Sequence, residues 1–182
     1  ANRALKVGDK APLFTLTDPD SRPVSLPALL AEGPVALSFY RGVWCPYCNI
    51  ELQALEGALP ELTRLGARLI AISPQSAPNS RKSVRENKLS FPILSDVRNQ
   101  VAESFGLKFA LPDYLIDLYK SLKNDLPNFN GDSSWTLPMP ARYVIAPDRT
   151  ILYAEVNPDY RSRPEPEEMF AAIKKATAVR AA

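Results

Sequence analysis

Cys45 and Cys48 are the only two thiols in the 182 residues, and they stand three apart in Trp44-Cys45-Pro46-Tyr47-Cys48. On a helix, residues i and i+3 are neighbours on one turn. Thiols at that spacing can reach disulfide distance and cycle between dithiol and disulfide. Where such a pair opens a helix, the unpaired N–H groups there stabilise a thiolate. A free thiol titrates near about 8.5, and this setting lowers it by roughly one to several units. Thiolate is the nucleophile, so the shift matters at neutral pH. Mild oxidation is therefore expected to join Cys45 to Cys48. The other reading of the pair is a structural disulfide or two inert buried thiols.

Two neighbours bear on the pair. Arg41, four residues before Cys45, either steadies a thiolate by its charge or is a surface arginine. Trp44 shields the pair, offers an aromatic face to a partner, or is an ordinary core tryptophan. The sequence has no histidine, which excludes Ser/His and Cys/His nucleophile pairs, imidazole metal sites and histidine-ligated haem. Two cysteines do not fill a four-ligand zinc site within one chain, so neither metal nor cofactor is expected. Lys plus Arg is 22 against 20 for Asp plus Glu, a net charge of +2, which draws the chain neither to nucleic acid nor to acidic membranes. Arg81, Lys82, Arg85 and Lys88 read as a solvated helix face. No apolar stretch is long enough to cross a bilayer and no signal peptide is visible, so the cytoplasm is the expected location.

The elements that must position the cysteines follow from periodicity. Pro34 to Tyr40 (PVALSFY) is short, apolar and uncharged, as in a buried strand. A helix should start near Pro46, since proline is tolerated in the first turn. Leu52, Leu55, Leu59 and Leu62 then fall on one face, with a kink expected at Pro60. Arg68 to Ser73 and Phe91 to Leu94 read as strands, and Asn79 to Lys88 and Arg98 to Phe105 as helices. Ala141–Ala146 and Ile151–Val156 read as a hairpin turning at Pro147 to Thr150. A last helix is expected from Pro164 or Pro166, with acidic residues in its first turn. The alternation argues α/β and one domain over residues 1–182, with an insertion at about 107–139. In that insertion Leu111, Leu115, Leu118 and Leu122, with Tyr114 and Tyr119, recur at helical spacing. A helix over Pro112 to Lys123 packed on the core is the favoured reading. A hydrophobic wall beside the active site, or a dimer contact, is the other.

Several stretches resemble one family. Val7-Gly8-Asp9-Lys10-Ala11-Pro12 resembles the opening of peroxiredoxins of the alkyl hydroperoxide reductase type. Phe91-Pro92-Ile93-Leu94-Ser95-Asp96, with Phe105-Gly106-Leu107, resembles their central strand and helix, and Arg142 to Ile151 their penultimate hairpin. The resemblance implies a thioredoxin-like fold, a mixed sheet flanked by helices, with extra N-terminal strands. Matching Phe39-Tyr40 and Glu51 without gaps puts the family's peroxidatic cysteine at Cys48. The family's threonine position falls at Cys45, its proline at Arg41 and its distant arginine at Pro140. Arg142, two residues on and on the same strand face, is the candidate replacement for that arginine. Cys45-Pro46-Tyr47-Cys48 is itself similar to the glutaredoxin tetrapeptide. Thioredoxins set a cis-proline against their Cys-x-x-Cys, and Pro140 is the expected counterpart.

Three functions follow. In the first, a thiol peroxidase, Cys48 attacks a hydroperoxide, Cys45 condenses with the sulfenic acid, and a thioredoxin- or glutaredoxin-type dithiol restores both. The missing threonine and arginine imply slow turnover. In the second, a thiol–disulfide oxidoreductase, Cys45, expected to be the better exposed, attacks a substrate disulfide and Cys48 resolves. In the third, a redox sensor, the disulfide alters a surface that a partner reads. The peroxidase ranks first, and a homodimer fits it.

Overall fold

The computed structural model describes residues 3–159 and 165–181. Its centre is β3 (Val35–Phe39), five consecutive buried residues. β3 pairs in parallel with β4 (Arg68–Ser73) on one side and antiparallel with β8 (Ala141–Ile145) on the other. A strand enclosed on both faces has no polar side, which is why, Ser38 apart, the run is apolar rather than alternating. β5 (Ile93–Ser95) extends the parallel half, β1 (Thr15–Thr17) and β2 (Pro23–Ser25) close that edge, and β9 (Ile151–Val156) closes the other. The sheet order is β2-β1-β5-β4-β3-β8-β9, so the expected mixed sheet and N-terminal strands are present.

Helix α1 (Leu26–Leu30) follows β2 and is capped by the Ser25 hydroxyl. α2 (Pro46–Arg64) leaves the end of β3 with Cys45 as its N-cap and continues as one helix through Pro60. Its buried face carries Cys48, Leu52, Leu55 and Leu62. α3 (Ala77–Asn87) follows β4, and a 3-10 turn (Val97–Asn99) leads into α4 (Gln100–Ser104). The last helix, α7 (Glu168–Ala181), starts later than expected, so Glu165 and Glu167 precede it.

The insertion forms β6 (Lys108–Ala110), α5 (Asp113–Ser121), α6 (Leu126–Asn130) and β7 (Thr136–Pro138), with β6 and β7 paired as a separate two-stranded sheet. The helix lies where periodicity puts it, but its expected burial fails. α5 has no fully buried residue, and Tyr114, Leu118 and Leu122 are exposed. Only Leu115, Ile116 and Tyr119 pack, on a small cluster of Leu111, Leu126 and Leu137. The insertion has its own small core, and α5 is not laid flat on the main sheet.

Candidate active site

The cysteine pair sits where β3 becomes α2. The turn between them is fixed from several sides. Gly42 lies so close to the Trp44 indole that a Cβ there would collide with Nε1. The Gly42 carbonyl accepts the Cys45 N–H at 3.1 Å. Val43 N–H donates to Gln75 Oε1 at 3.0 Å, and Asn49 Nδ2 donates to the Val43 carbonyl at 2.8 Å. Gln75 is fully buried after β4, and its Nε2 also donates to the Tyr40 hydroxyl and to Ser83 Oγ. Such a satisfied buried network gives the turn one conformation.

Cys45 Sγ accepts the Cys48 N–H at 3.3 Å, filling the N-cap role usually taken by a hydroxyl or carboxylate. The two cysteines are not joined in a disulfide and both are buried, at 2% and 0% exposure. Cys45 is the better exposed of the two, as expected, but only by that small margin. A pocket of about 410 Å³ opens onto Cys45, walled by Trp44, Tyr47, Pro140 and, from the insertion, Leu115, Leu118 and Leu122.

Arg41 lines the same pocket and is buried, not a surface arginine. Its guanidinium lies 5.0 Å from the Trp44 ring centroid and 5.6 Å from that of Tyr119, within range of a cation–π attraction. It also donates to the Tyr119 hydroxyl. Trp44 packs edge-on against Tyr119 at 5.6 Å and beside Phe129 at 6.5 Å. Aromatic and cationic contacts thus tie the insertion to the cysteine turn.

Arg142, on β8, reaches Glu51 of α2. Its Nε donates to Glu51 Oε1 at 2.7 Å, with both side chains buried. Glu51 is one turn past Cys48 on α2. Arg142 Nη1 is buried with no hydrogen-bond partner among the described residues. Tyr40 is buried on the Cys48 side. Burial pushes its phenol well above the ordinary range, and negative charge on Cys48 pushes the same way, so the hydroxyl keeps its proton within electrostatic reach of that sulfur.

Pro140 lines the pocket as expected, but the Met139–Pro140 bond is trans, which corrects the expected cis-proline. β7 runs directly into β8 here, and the Pro140 carbonyl accepts from Asn157 N–H at 3.0 Å. That extended path is met by the trans form, which X-Pro bonds favour by about 0.5–1 kcal/mol. Arg41, Trp44, Cys45 and Pro140 therefore share one pocket, while Cys48 and Arg142 lie outside its lining. Gln75, Asn49, Glu51, Tyr40 and Tyr119 were not singled out as site residues from the sequence. Gln75 had one signal, its position just past the C-terminal end of a strand parallel to β3, where α/β sheets collect functional groups. Tyr119 had none beyond helical spacing.

The sequence matches the family model described as the AhpC/TSA family over residues 7–154. The chain belongs to this family. It is a peroxiredoxin-like thiol-dependent peroxidase of thioredoxin fold. It is 32% identical to peroxiredoxin Bcp of Escherichia coli over 103 residues, covering 57% of this chain and 65% of that one. Among solved structures it resembles peroxidoxin BcpB of Mycobacterium tuberculosis, with TM-score 0.75, 24% identity, and 94% and 97% of the two chains covered. A mutant of PrxQ from Xylella fastidiosa matches with TM-score 0.70 and 16% identity, over 97% and 98% of the two chains. These structural likenesses bear on the fold. Among the described residues no group of three or more His, Cys, Asp or Glu side chains could hold a metal, and no helix is long and apolar enough to cross a membrane.

Proposed function

We propose that the chain, acting as one folding unit, reduces organic hydroperoxides through a Cys45/Cys48 dithiol–disulfide cycle. The observation that carries this is the pocket itself. A nucleophilic sulfur and a buried guanidinium border a space of about 410 Å³ whose other walls are largely leucine, proline and aromatic side chains. A volume of that order suits a small molecule with an apolar body. Hydrogen peroxide has no part that could use those leucines. In this reading Arg41 attracts the peroxide oxygens and steadies negative charge on sulfur, and Trp44 and Pro140 bound the substrate. Arg142 pairs with Glu51 outside the pocket lining, so Arg41 rather than Arg142 stands in for the family's distant arginine.

The same pocket weighs against a thiol–disulfide oxidoreductase acting on proteins, because Cys45 is only 2% exposed and a protein disulfide would have to enter past Leu115 and Leu118 of α5. The reductant meets the same wall. A thioredoxin- or glutaredoxin-type protein has to enter past the same leucines, which hinder a small dithiol less. A second copy covering Tyr114, Leu118 and Leu122 is compatible with this scheme, as is a reducing compartment such as the cytoplasm.

Peroxide consumption by the reduced protein tests the proposal, with cumene hydroperoxide or hydrogen peroxide as substrate and dithiothreitol or a thioredoxin system as reductant. Turnover that favours cumene hydroperoxide and leaves a Cys45–Cys48 disulfide when the reductant runs out is expected. No consumption of either peroxide would overturn the reading.

A further inference from the structure

The two sulfurs are not equivalent toward the pocket. Cys45 borders it beside Arg41, Pro46 and Tyr47, and Cys48 does not. Cys48 has no exposed surface and packs with Ala36, Tyr40 and Leu52 in the core under α2. The Cys45 sulfur also accepts a backbone N–H at the start of a 19-residue helix. A hydrogen bond to the ionised form favours that form, and the positive end of the helix adds to it. Arg41 supplies a full positive charge to the same space.

Ungapped matching to the family assigns the attack to Cys48. We infer the reverse order for this chain: Cys45 attacks the peroxide and Cys48 resolves. The inference rests on the peroxidase reading and concerns only which sulfur acts first. The Cys45 thiolate attacks the hydroxyl oxygen of the hydroperoxide. An S–O bond forms, the O–O bond breaks, and the departing alkoxide takes a proton from water and leaves as the alcohol. Cys45 is then a sulfenic acid, oxidised by two electrons. The Cys48 sulfur next attacks Cys45 Sγ. The S–S bond forms, the S–O bond breaks, and the hydroxide leaves as water with the proton of the Cys48 thiol. The external dithiol returns two electrons and two protons.

Two measurements decide the order. Reduced Cys45→Ser and Cys48→Ser proteins are given one equivalent of cumene hydroperoxide with dimedone, and adducts are mapped by mass spectrometry. An adduct on Cys45 in Cys48→Ser, with none on Cys48 in Cys45→Ser, is expected. An adduct on Cys48 in Cys45→Ser, with none on Cys45 in the other variant, overturns the inference and leaves the peroxidase reading standing. A wild type that consumes no peroxide overturns the peroxidase reading and this inference together. The second measurement needs no variant. Limiting iodoacetamide on the native, reduced wild type should label Cys45 about tenfold faster than Cys48, as fits a thiolate that is accessible and stabilised. Equal or inverted labelling overturns the inference.

Discussion

Helices α2 and α5 carry leucines at the same spacing in opposite surroundings. On α2, Leu52, Leu55 and Leu62 are almost wholly enclosed, packed with β-strand residues Ala36, Leu69 and Ile93. Leu118 on α5 and Leu122 at its C-cap are about half exposed and form a pocket wall. The difference lies in what each helix meets. α2 begins at the end of the central strand and lies along the sheet. α5 rests on three buried leucines of the insertion and on Trp44, which is too small a surface to cover a full helix face. An apolar stripe thus says which side of a helix avoids water, and the neighbouring surface decides whether that side is core or cavity.

The largest effect that sharpens this contrast is electrostatic and belongs to α2. Arg142→Met leaves Glu51 as a buried charge without its cation, which costs about 3–5 kcal/mol. Urea denaturation should show a midpoint shift of that size, and Glu51→Leu added to Arg142→Met should recover much of it. If the single variant is as stable as the wild type, the α2 region is less closed to water than its burial indicates.

Next in size is a matched pair of truncations. Leu55→Ala on α2 should cost about 2–5 kcal/mol through lost burial and a cavity. Leu118→Ala on α5 should stay within about 0.5 kcal/mol, as surface changes do, because nothing encloses the side chain. Its cost should instead appear in activity, where a lost apolar contact worth about 1.4 kcal/mol lowers kcat/KM about tenfold for cumene hydroperoxide. The hydrogen peroxide rate should stay unchanged. Equal stability losses in the two variants would break the comparison.

The smallest effect is at Asp96, where the central sheet gives way to the segment leading into the insertion. Its carboxylate accepts from Val101 and Ala102 N–H groups, both at 2.9 Å, yet burial holds its pKa above the ordinary value. The folded chain therefore binds this proton more tightly than the unfolded chain. Stability should fall as pH rises from the unfolded value of about 3.9 to the higher folded value, and level off above it. Asp96→Asn should abolish that slope and cost about 1 kcal/mol at neutral pH, since one N–H loses its acceptor. Unfolding curves between acid and neutral pH test both parts.

Where local rules act, the sequence by itself determined the outcome. The strands Arg68–Ser73 and Ile151–Val156 lie where their patterns put them. Pro46 opens α2 because proline suits a first turn, and that places Cys45 at the cap and Cys48 on the first turn. Pro140, picked out by the thioredoxin resemblance, and Arg41, picked out by standing four residues before Cys45, line one pocket with that cysteine. Other features came only from tertiary structure. Gln75 reaches the cysteine turn from 32 residues away, Tyr119 reaches Arg41 from 78, and Glu51 meets Arg142 across 91. No local spacing encodes those distances. The trans bond at Pro140 belongs to the extended path from β7 into β8. The pocket beside Cys45 depends on how the insertion packs, and that packing balances burial against the shape of the surface on offer, which a pattern of apolar positions does not contain.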